Sequence, residues 1–161
     1  MKDLDFLTKL KNEKKLELLE PSESLAESYE RKSRDCLISA KILMKNNLFE
    51  NAIGEAYYSI YNSIQSLFFK CGIKCENHSA SVLILKYIFQ LDRLYSLSSK
   101  AKEERIDKQY YTITTQTNPA TKESAQDLIS IGEKFILEIN DYKRNLKIKD
   151  INKIRGKFQE I

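Results

Sequence analysis

Two groups of side chains in this chain could bind a phosphate-bearing ligand. Tyr57, Tyr58 and Tyr61 lie in one apolar segment, and a tyrosine offers both a ring for stacking and a hydroxyl for hydrogen bonding. Arg105 precedes Tyr110 by five residues in a charged segment. The guanidinium is a permanent cation that suits phosphate, and the two residues would converge if their helix ends or bends near Tyr110. We therefore predict Arg105 and Tyr110 as the candidate catalytic pair.

Each group also has a plainer interpretation, which the sequence leaves open. On a helix, Tyr57 would face a buried layer while Tyr58, about 100° further round, would lie at its edge. The tyrosines would then be ordinary packing at the core and its rim. Arg105 has acidic neighbours with which it could form surface salt bridges instead: Glu103, Glu104 and Asp107.

His78 is the only histidine, and its ordinary pKa near neutrality makes it a candidate general base. A structural role at the start of a helix is the alternative. Cys71, Cys75 and His78 are soft metal ligands, but a closed zinc site needs a fourth ligand and this spacing matches no common zinc module. We therefore predict no metal and no cofactor, and we take the three cysteines as reduced thiols.

The composition favours a single helical domain. The 161 residues include only four glycines and two prolines, which is few for a sheet protein with many turns. No apolar run approaches the ~20 residues of a membrane span, and the N-terminus lacks the apolar core of a signal peptide. We therefore predict a cytoplasmic protein without membrane contact. The segment from Lys143 to Lys157 is strongly basic, and it could contact phosphates or form a solvated helix face.

Apolar periodicity divides the chain into helices. We predict a first helix over 3–19 and a second that begins near Ser24, where Ser24 and Glu27 form a capping-box pattern. The longest apolar stripe predicts a central helix over 49–71, ended by Gly72. The later predicted helices begin near Asn77, after Leu97, at Asn118–Pro119 and at Lys149, the last of them covering 149–160.

These elements predict an all-α fold, an antiparallel up-down helical bundle of four to five core helices. We place a single domain at 1–161, with its core at 22–146 and peripheral helices at 1–20 and 147–161. Residues 112–117 are β-branched and polar, so we predict an exposed loop there.

Taken together, these segments resemble the HEPN domain (higher eukaryotes and prokaryotes nucleotide-binding), in its small stand-alone prokaryotic branch. The resemblance covers about residues 25–145. It is carried by Asn51-Ala-Ile-Gly-Glu-Ala-Tyr-Tyr-Ser-Ile-Tyr, by Gly72-Ile followed by Asn77-His-Ser, and by Arg105 to Tyr110. It implies an up-down bundle that forms a homodimer and is often encoded beside a minimal nucleotidyltransferase. Active members of the family are metal-independent endoribonucleases that act as toxins.

The resemblance also identifies a departure. In active members an arginine is followed four to six residues later by a histidine, and Tyr110 occupies that place here. A tyrosine hydroxyl is a poor proton shuttle at neutral pH, so we predict weak or absent catalysis. We therefore predict a dimeric partner of a minimal nucleotidyltransferase, in a toxin–antitoxin-like pair, that binds RNA or a nucleotide. The predicted binding residues are Tyr57, Tyr58, Tyr61, His78, Arg105 and Tyr111.

Two alternatives to this function remain open. One is an active metal-independent endoribonuclease toxin, in which Tyr110 or His78 handles the protons. The other is a purely structural dimerisation module, in which Tyr57, Tyr58 and the Arg105 helix form the dimer interface.

Overall fold

The computed structural model describes residues 2–110 and 119–161, with the side chains of all of these except Gln109 and Tyr110. The described elements are α1 (Lys2–Asn12), β1 (Leu16–Leu18), α2 (Glu23–Lys45), α3 (Phe49–Cys71), β2 (Ile73–Cys75), α4 (His78–Tyr87), α5 (Asp92–Tyr110), α6 (Lys122–Asn145) and α7 (Ile148–Gln159). The predicted loop at 112–117 lies outside the described residues. Among the helices described, none is both long enough and apolar enough to cross a membrane.

The central element of this all-α bundle is α3, as its apolar stripe predicted, and most of its residues are buried. α2 runs antiparallel to it. The Ser33 hydroxyl donates to the Ser59 carbonyl at 2.6 Å, and the Ser66 hydroxyl donates to the Ala26 carbonyl at 2.6 Å. α6 approaches the same helix at Gly132, where an added Cβ would lie only 3.2 Å from the Ser59 hydroxyl oxygen. Small residues therefore let three helix backbones lie close together.

A buried lysine links the same three helices. Lys143 of α6 is 5% exposed. Its ammonium donates to the Glu30 carboxylate of α2 and, at 2.7 Å, to the Ser66 hydroxyl of α3. A buried charge is costly unless it is paired and hydrogen-bonded, so these bonds hold the C-terminal part of α6 against α2 and α3.

The predicted helix over 3–19 is wrong beyond Asn12. The chain turns at Lys14, which has a φ of +57°, and continues into β1, which pairs antiparallel with β2. Leu16 lies opposite Cys75 and Leu18 opposite Ile73 in this ladder. The leucine spacing fitted a helix, but the Leu-Glu-Leu alternation also fits a strand, and the partner strand more than fifty residues away decides between them.

Several helix boundaries also differ from the predicted ones. Ser22, not Ser24, caps α2, because its side chain accepts a hydrogen bond from the Leu25 amide. Thr121 caps α6 through a reciprocal pair of bonds with Ser124, so that helix begins at Lys122, later than predicted. α5 begins at Asp92 rather than after Leu97. The central helix has the predicted bounds, and the C-terminal helix lies within one residue of the predicted 149–160.

The C-terminal end of α3 is closed by a glycine and an arginine. Gly72 has a φ of +71°, a backbone conformation that residues with a Cβ disfavour. The Arg155 guanidinium of α7 donates to the carbonyls of Leu19 (2.7 Å), Cys71 (2.9 Å) and Gly72 (3.2 Å). A Cβ on Gly72 would collide with that guanidinium and with the Leu19 carbonyl. The contact therefore requires glycine here.

We expect Gly72→Ala to destabilise the fold, because the left-handed conformation alone costs about 1–2 kcal/mol and the collision adds to it. The matched control is Gly156→Ala in α7, where an added Cβ would have no neighbour within 4 Å. That change should stabilise the protein by about 0.5–1 kcal/mol, because glycine inside a helix is unfavourable. Urea unfolding of both variants measures the difference, and equal stabilities would contradict this account of Gly72.

Candidate functional site

The candidate site lies where α3, α4 and α5 meet. α4 begins at His78 because the preceding Asn77 caps it, its side-chain oxygen accepting from the Ala80 amide at 2.9 Å. The cap fixes where the helix starts and so places the imidazole in its first turn. Three tyrosines of α3 lie around that imidazole: Tyr57, Tyr58 and Tyr61.

The imidazole of His78 is held from two directions. The Tyr61 ring lies parallel to it, with ring centroids 3.9 Å apart and planes 3° apart. The Tyr57 hydroxyl lies 2.6 Å from Nδ1. Which of these two atoms donates depends on the tautomer of the ring. Since one nitrogen is bonded to Tyr57 and one face is stacked on Tyr61, the orientation of the ring is determined.

Arg105 of α5 approaches the same tyrosines. Its guanidinium carbon lies 4.8 Å from the Tyr57 ring centroid and 4.9 Å from that of Tyr58. One N–H of the guanidinium donates to the Tyr58 hydroxyl at 3.1 Å. Cation–π contacts of this kind favour a cation over an aromatic face. The tyrosines thus position the arginine as well as the histidine.

The electrostatics of the cluster keep the histidine neutral. Burial lowers the pKa of His78 below its ordinary value, and the charges of Arg105 and Lys102 lower it further. Lys102 lies one turn before Arg105 and donates from Nζ to the Ser79 hydroxyl at 2.6 Å. At pH 7 the site therefore combines permanent cations with a neutral imidazole, which can accept or donate a proton.

The tyrosines differ in how they can serve a ligand. Tyr57 is 3% exposed and belongs to the core, whereas Tyr58 is 36% exposed at the rim. Burial raises the pKa of Tyr61 well above its usual range, so that hydroxyl stays protonated. Tyr58 therefore offers the accessible ring of the three, while Tyr57 and Tyr61 hold His78.

Five of the predicted site residues thus form one cluster: Tyr57, Tyr58, Tyr61, His78 and Arg105. Tyr110 ends α5, but its side chain lies outside the described residues, as does all of Tyr111. The sequence reasoning missed Lys102. Its position three residues before Arg105, on the same helical face, is the signal that would have found it.

Cys71 and Cys75, which were considered above as metal ligands, are buried in the fold. Burial raises the pKa of the Cys71 thiol to about 12, and the Cys75 thiol donates to the Asn77 carbonyl at 3.4 Å. Within the part of the chain that the structure describes, no three histidine, cysteine or acidic residues are grouped to hold a metal ion.

Comparison with known proteins agrees with this architecture. The sequence profile of the HEPN domain matches residues 26–142. A protein of Thermotoga maritima named UPF0332 protein is 32% identical over 57 residues, which are 35% of this chain and 43% of that protein. A protein of Methanocaldococcus jannaschii, whose name describes it as a putative toxin, is 27% identical over 107 residues, 62% of this chain and 75% of that protein.

The profile match includes α3, with its three tyrosines, and extends through His78 and Arg105 into α6. It leaves out α1, β1, the first three residues of α2, the last three residues of α6 and all of α7. Since it covers well over half of the chain and agrees with the helical bundle, the chain belongs to the HEPN domain family.

Proposed function

We propose that this protein binds RNA or a nucleotide at the cluster formed by Tyr57, Tyr58, His78 and Arg105. The observation that carries the proposal is the guanidinium of Arg105, positioned over two tyrosine rings beside a neutral histidine. A planar cation of this kind binds phosphate through charge-assisted hydrogen bonds. An accessible aromatic ring such as that of Tyr58 can stack on a base whatever its identity.

The same site supports a toxin-like role within a paired system. The name of the Methanocaldococcus jannaschii relative describes that protein as a putative toxin, and the resemblance implies that the family is often encoded beside a minimal nucleotidyltransferase. We propose that this protein is a homodimer and acts as the HEPN partner of such an enzyme. The exposed ring of Tyr58 lies at the rim of the cluster, where a second subunit could complete the binding surface.

A second candidate function is favoured by one specific observation. His78 is a second candidate for the role of the family histidine, because the fold brings it into contact with Tyr57 and near Arg105. A neutral His78 could take the proton of an RNA 2′-hydroxyl as that oxygen attacks the adjacent phosphorus. The bond from phosphorus to the 5′-oxygen then breaks, the departing oxygen takes a proton, and a 2′,3′-cyclic phosphate remains. Arg105 would stabilise the negative charge on the phosphorus oxygens.

Replacing Arg105 tests the binding proposal. We expect Arg105→Gln to weaken binding of a labelled single-stranded RNA of about ten nucleotides. The loss should be roughly 10- to 100-fold, because a charge-assisted hydrogen bond contributes about 1.5–3 kcal/mol. Arg93→Gln is the matched control, since Arg93 lies on the same helix and pairs with Glu138 far along the chain. Fluorescence anisotropy measures both affinities.

Equal affinities of the Arg105 and Arg93 variants would contradict the proposed site. The molar mass of the same samples, measured by light scattering, tests the homodimer. A protein that stays monomeric across micromolar concentrations would contradict that part of the proposal. A dimer that is disrupted by Tyr58→Ala and binds no RNA would favour the structural dimerisation module instead.

The titration of His78 provides a separate test of ligand binding. The pKa of this histidine is below its ordinary value, and a bound phosphate would raise it by stabilising the imidazolium. Binding would then take up a proton, so affinity for a dinucleotide, whose phosphodiester keeps one negative charge over this range, should rise as the pH falls from about 8 to about 5.5. That gain should be lost as the pH rises again. NMR follows the single histidine of the chain directly. An imidazole pKa that is the same with and without the dinucleotide would count against this site.

Cleavage of RNA tests the second candidate function. If His78 transfers the proton, His78→Asn should slow cleavage roughly 10²- to 10⁴-fold, the usual effect of removing a general base. Arg105→Gln should slow it as well, whereas Arg93→Gln should not. Equal cleavage by all four proteins would indicate a contaminating nuclease. No cleavage by the unaltered protein would remove this candidate and leave the binding proposal standing.

A further inference from the structure

A second cluster of cations lies away from the Arg105 site, in a cleft between α2, α3 and α6. The cleft has a volume of about 410 Å³, and none of its lining residues belongs to the Arg105 cluster. That volume is in the range of small-molecule sites in proteins. Five basic residues and three acidic residues line it, so its formal charge is positive.

The floor of the cleft is a buried ion pair that is already satisfied. Lys143 is 5% exposed, and its ammonium is bonded to the Glu30 carboxylate and the Ser66 hydroxyl. At the mouth, Lys70 of α3 pairs with Glu23 of α2 at 3.3 Å. These two pairs take up two of the three carboxylates that line the cleft.

Three arginines are left on the walls. Arg31 and Arg34 lie one turn apart on α2, and Arg144 faces them from α6. Within the described residues none of the three forms a salt bridge, and Arg144 donates only to the Asn140 carbonyl of its own helix. Glu27 is the remaining carboxylate of the lining. The walls therefore carry more positive charge than the protein itself neutralises.

Several positive charges of the cleft act on one carboxylate, that of Glu30. Burial raises the pKa of the Glu30 carboxyl, but the hydrogen bond from Lys143 and the charges of Lys143, Arg34 and Arg144 lower it more. The pKa of Glu30 is therefore below its ordinary value. Arginines from two different helices thus act on the same carboxylate. An anion at the mouth of the cleft would be reached from both walls at once.

We propose that this cleft binds a phosphate group, held by Arg31, Arg34 and Arg144. Guanidinium groups present N–H donors in a plane that matches phosphate oxygens, often two at a time. The Lys143–Glu30 pair holds the two helix walls at a fixed separation beneath the phosphate. Either a phosphodiester of an RNA strand or a free phosphate-bearing small molecule supplies this chemistry. The proposal does not depend on the Arg105 site.

The test is the double variant Arg31→Gln/Arg34→Gln. Both side chains are exposed and form no salt bridge with the described residues, so the fold should persist, which a thermal melt checks. The control is Lys2→Gln/Lys9→Gln on α1, which removes the same charge from exposed positions elsewhere. Binding of a labelled single-stranded RNA is measured over a range of salt concentrations, and inorganic phosphate is titrated by calorimetry.

We expect the double variant to bind RNA roughly tenfold more weakly than the control at about 50 mM salt, with a salt dependence shallower by ~1.4 in log–log slope for two lost phosphate contacts. Loss of RNA affinity alone assigns the cleft to a phosphodiester chain. Loss of the phosphate signal alone assigns it to a small phosphate-bearing ligand. The proposal would be overturned if the double variant bound both RNA and inorganic phosphate as tightly as the control does.

The Arg105→Gln variant separates this inference from the proposed function. If that variant alone loses RNA binding, the Arg105 site stands and the cleft is rejected as an RNA site. The cleft is rejected altogether if the Arg31/Arg34 variant also keeps the phosphate signal. If the Arg31/Arg34 variant alone loses it, the cleft stands and the Arg105 site is rejected.

Discussion

The burial of α3 is the constraint on which the rest of the structure depends. A helix buried on most of its surface must let its neighbours approach closely, and small side chains at the contacts permit this. The serine hydroxyls at these contacts bond to backbone carbonyls, which satisfies polar groups that water cannot reach. Because α2 and α6 occupy much of the surface of α3, the stripe that carries Tyr57, Tyr58 and Tyr61 is left for α4 and α5.

The candidate site follows from that arrangement. The ring of Tyr57 packs in the core, and its hydroxyl contacts His78 in the candidate site. Arg105 lies over the buried ring of Tyr57 and the exposed ring of Tyr58, and it donates a hydrogen bond to the Tyr58 hydroxyl. Aromatic rings beside a cation and an imidazole suit a ligand that carries both a phosphate group and a nucleobase.

Charge is distributed unevenly around this bundle. One group of cations accompanies the tyrosines at the junction of α3, α4 and α5, and another lines the cleft between α2 and α6. The two differ in character, because the first includes aromatic rings and a titratable imidazole while the second is made of arginines above a buried ion pair. The basic segment that the sequence emphasised contributes to structure as well, since Lys143 is buried and Arg155 closes the end of α3.

The sequence by itself determined the helical class, the extent of the central helix and the family, because these depend on apolar periodicity and on local motifs. It also identified Tyr57, Tyr58, Tyr61, His78 and Arg105 individually. The sequence did not predict that His78 and Arg105 lie close together, because they are 27 positions apart and come together through the packing of α5 on α3 and α4. It likewise placed Leu16–Leu18 in a helix, because the strand that pairs with this segment lies far along the chain. Local patterns specify which elements form, whereas long-range packing decides which side chains meet.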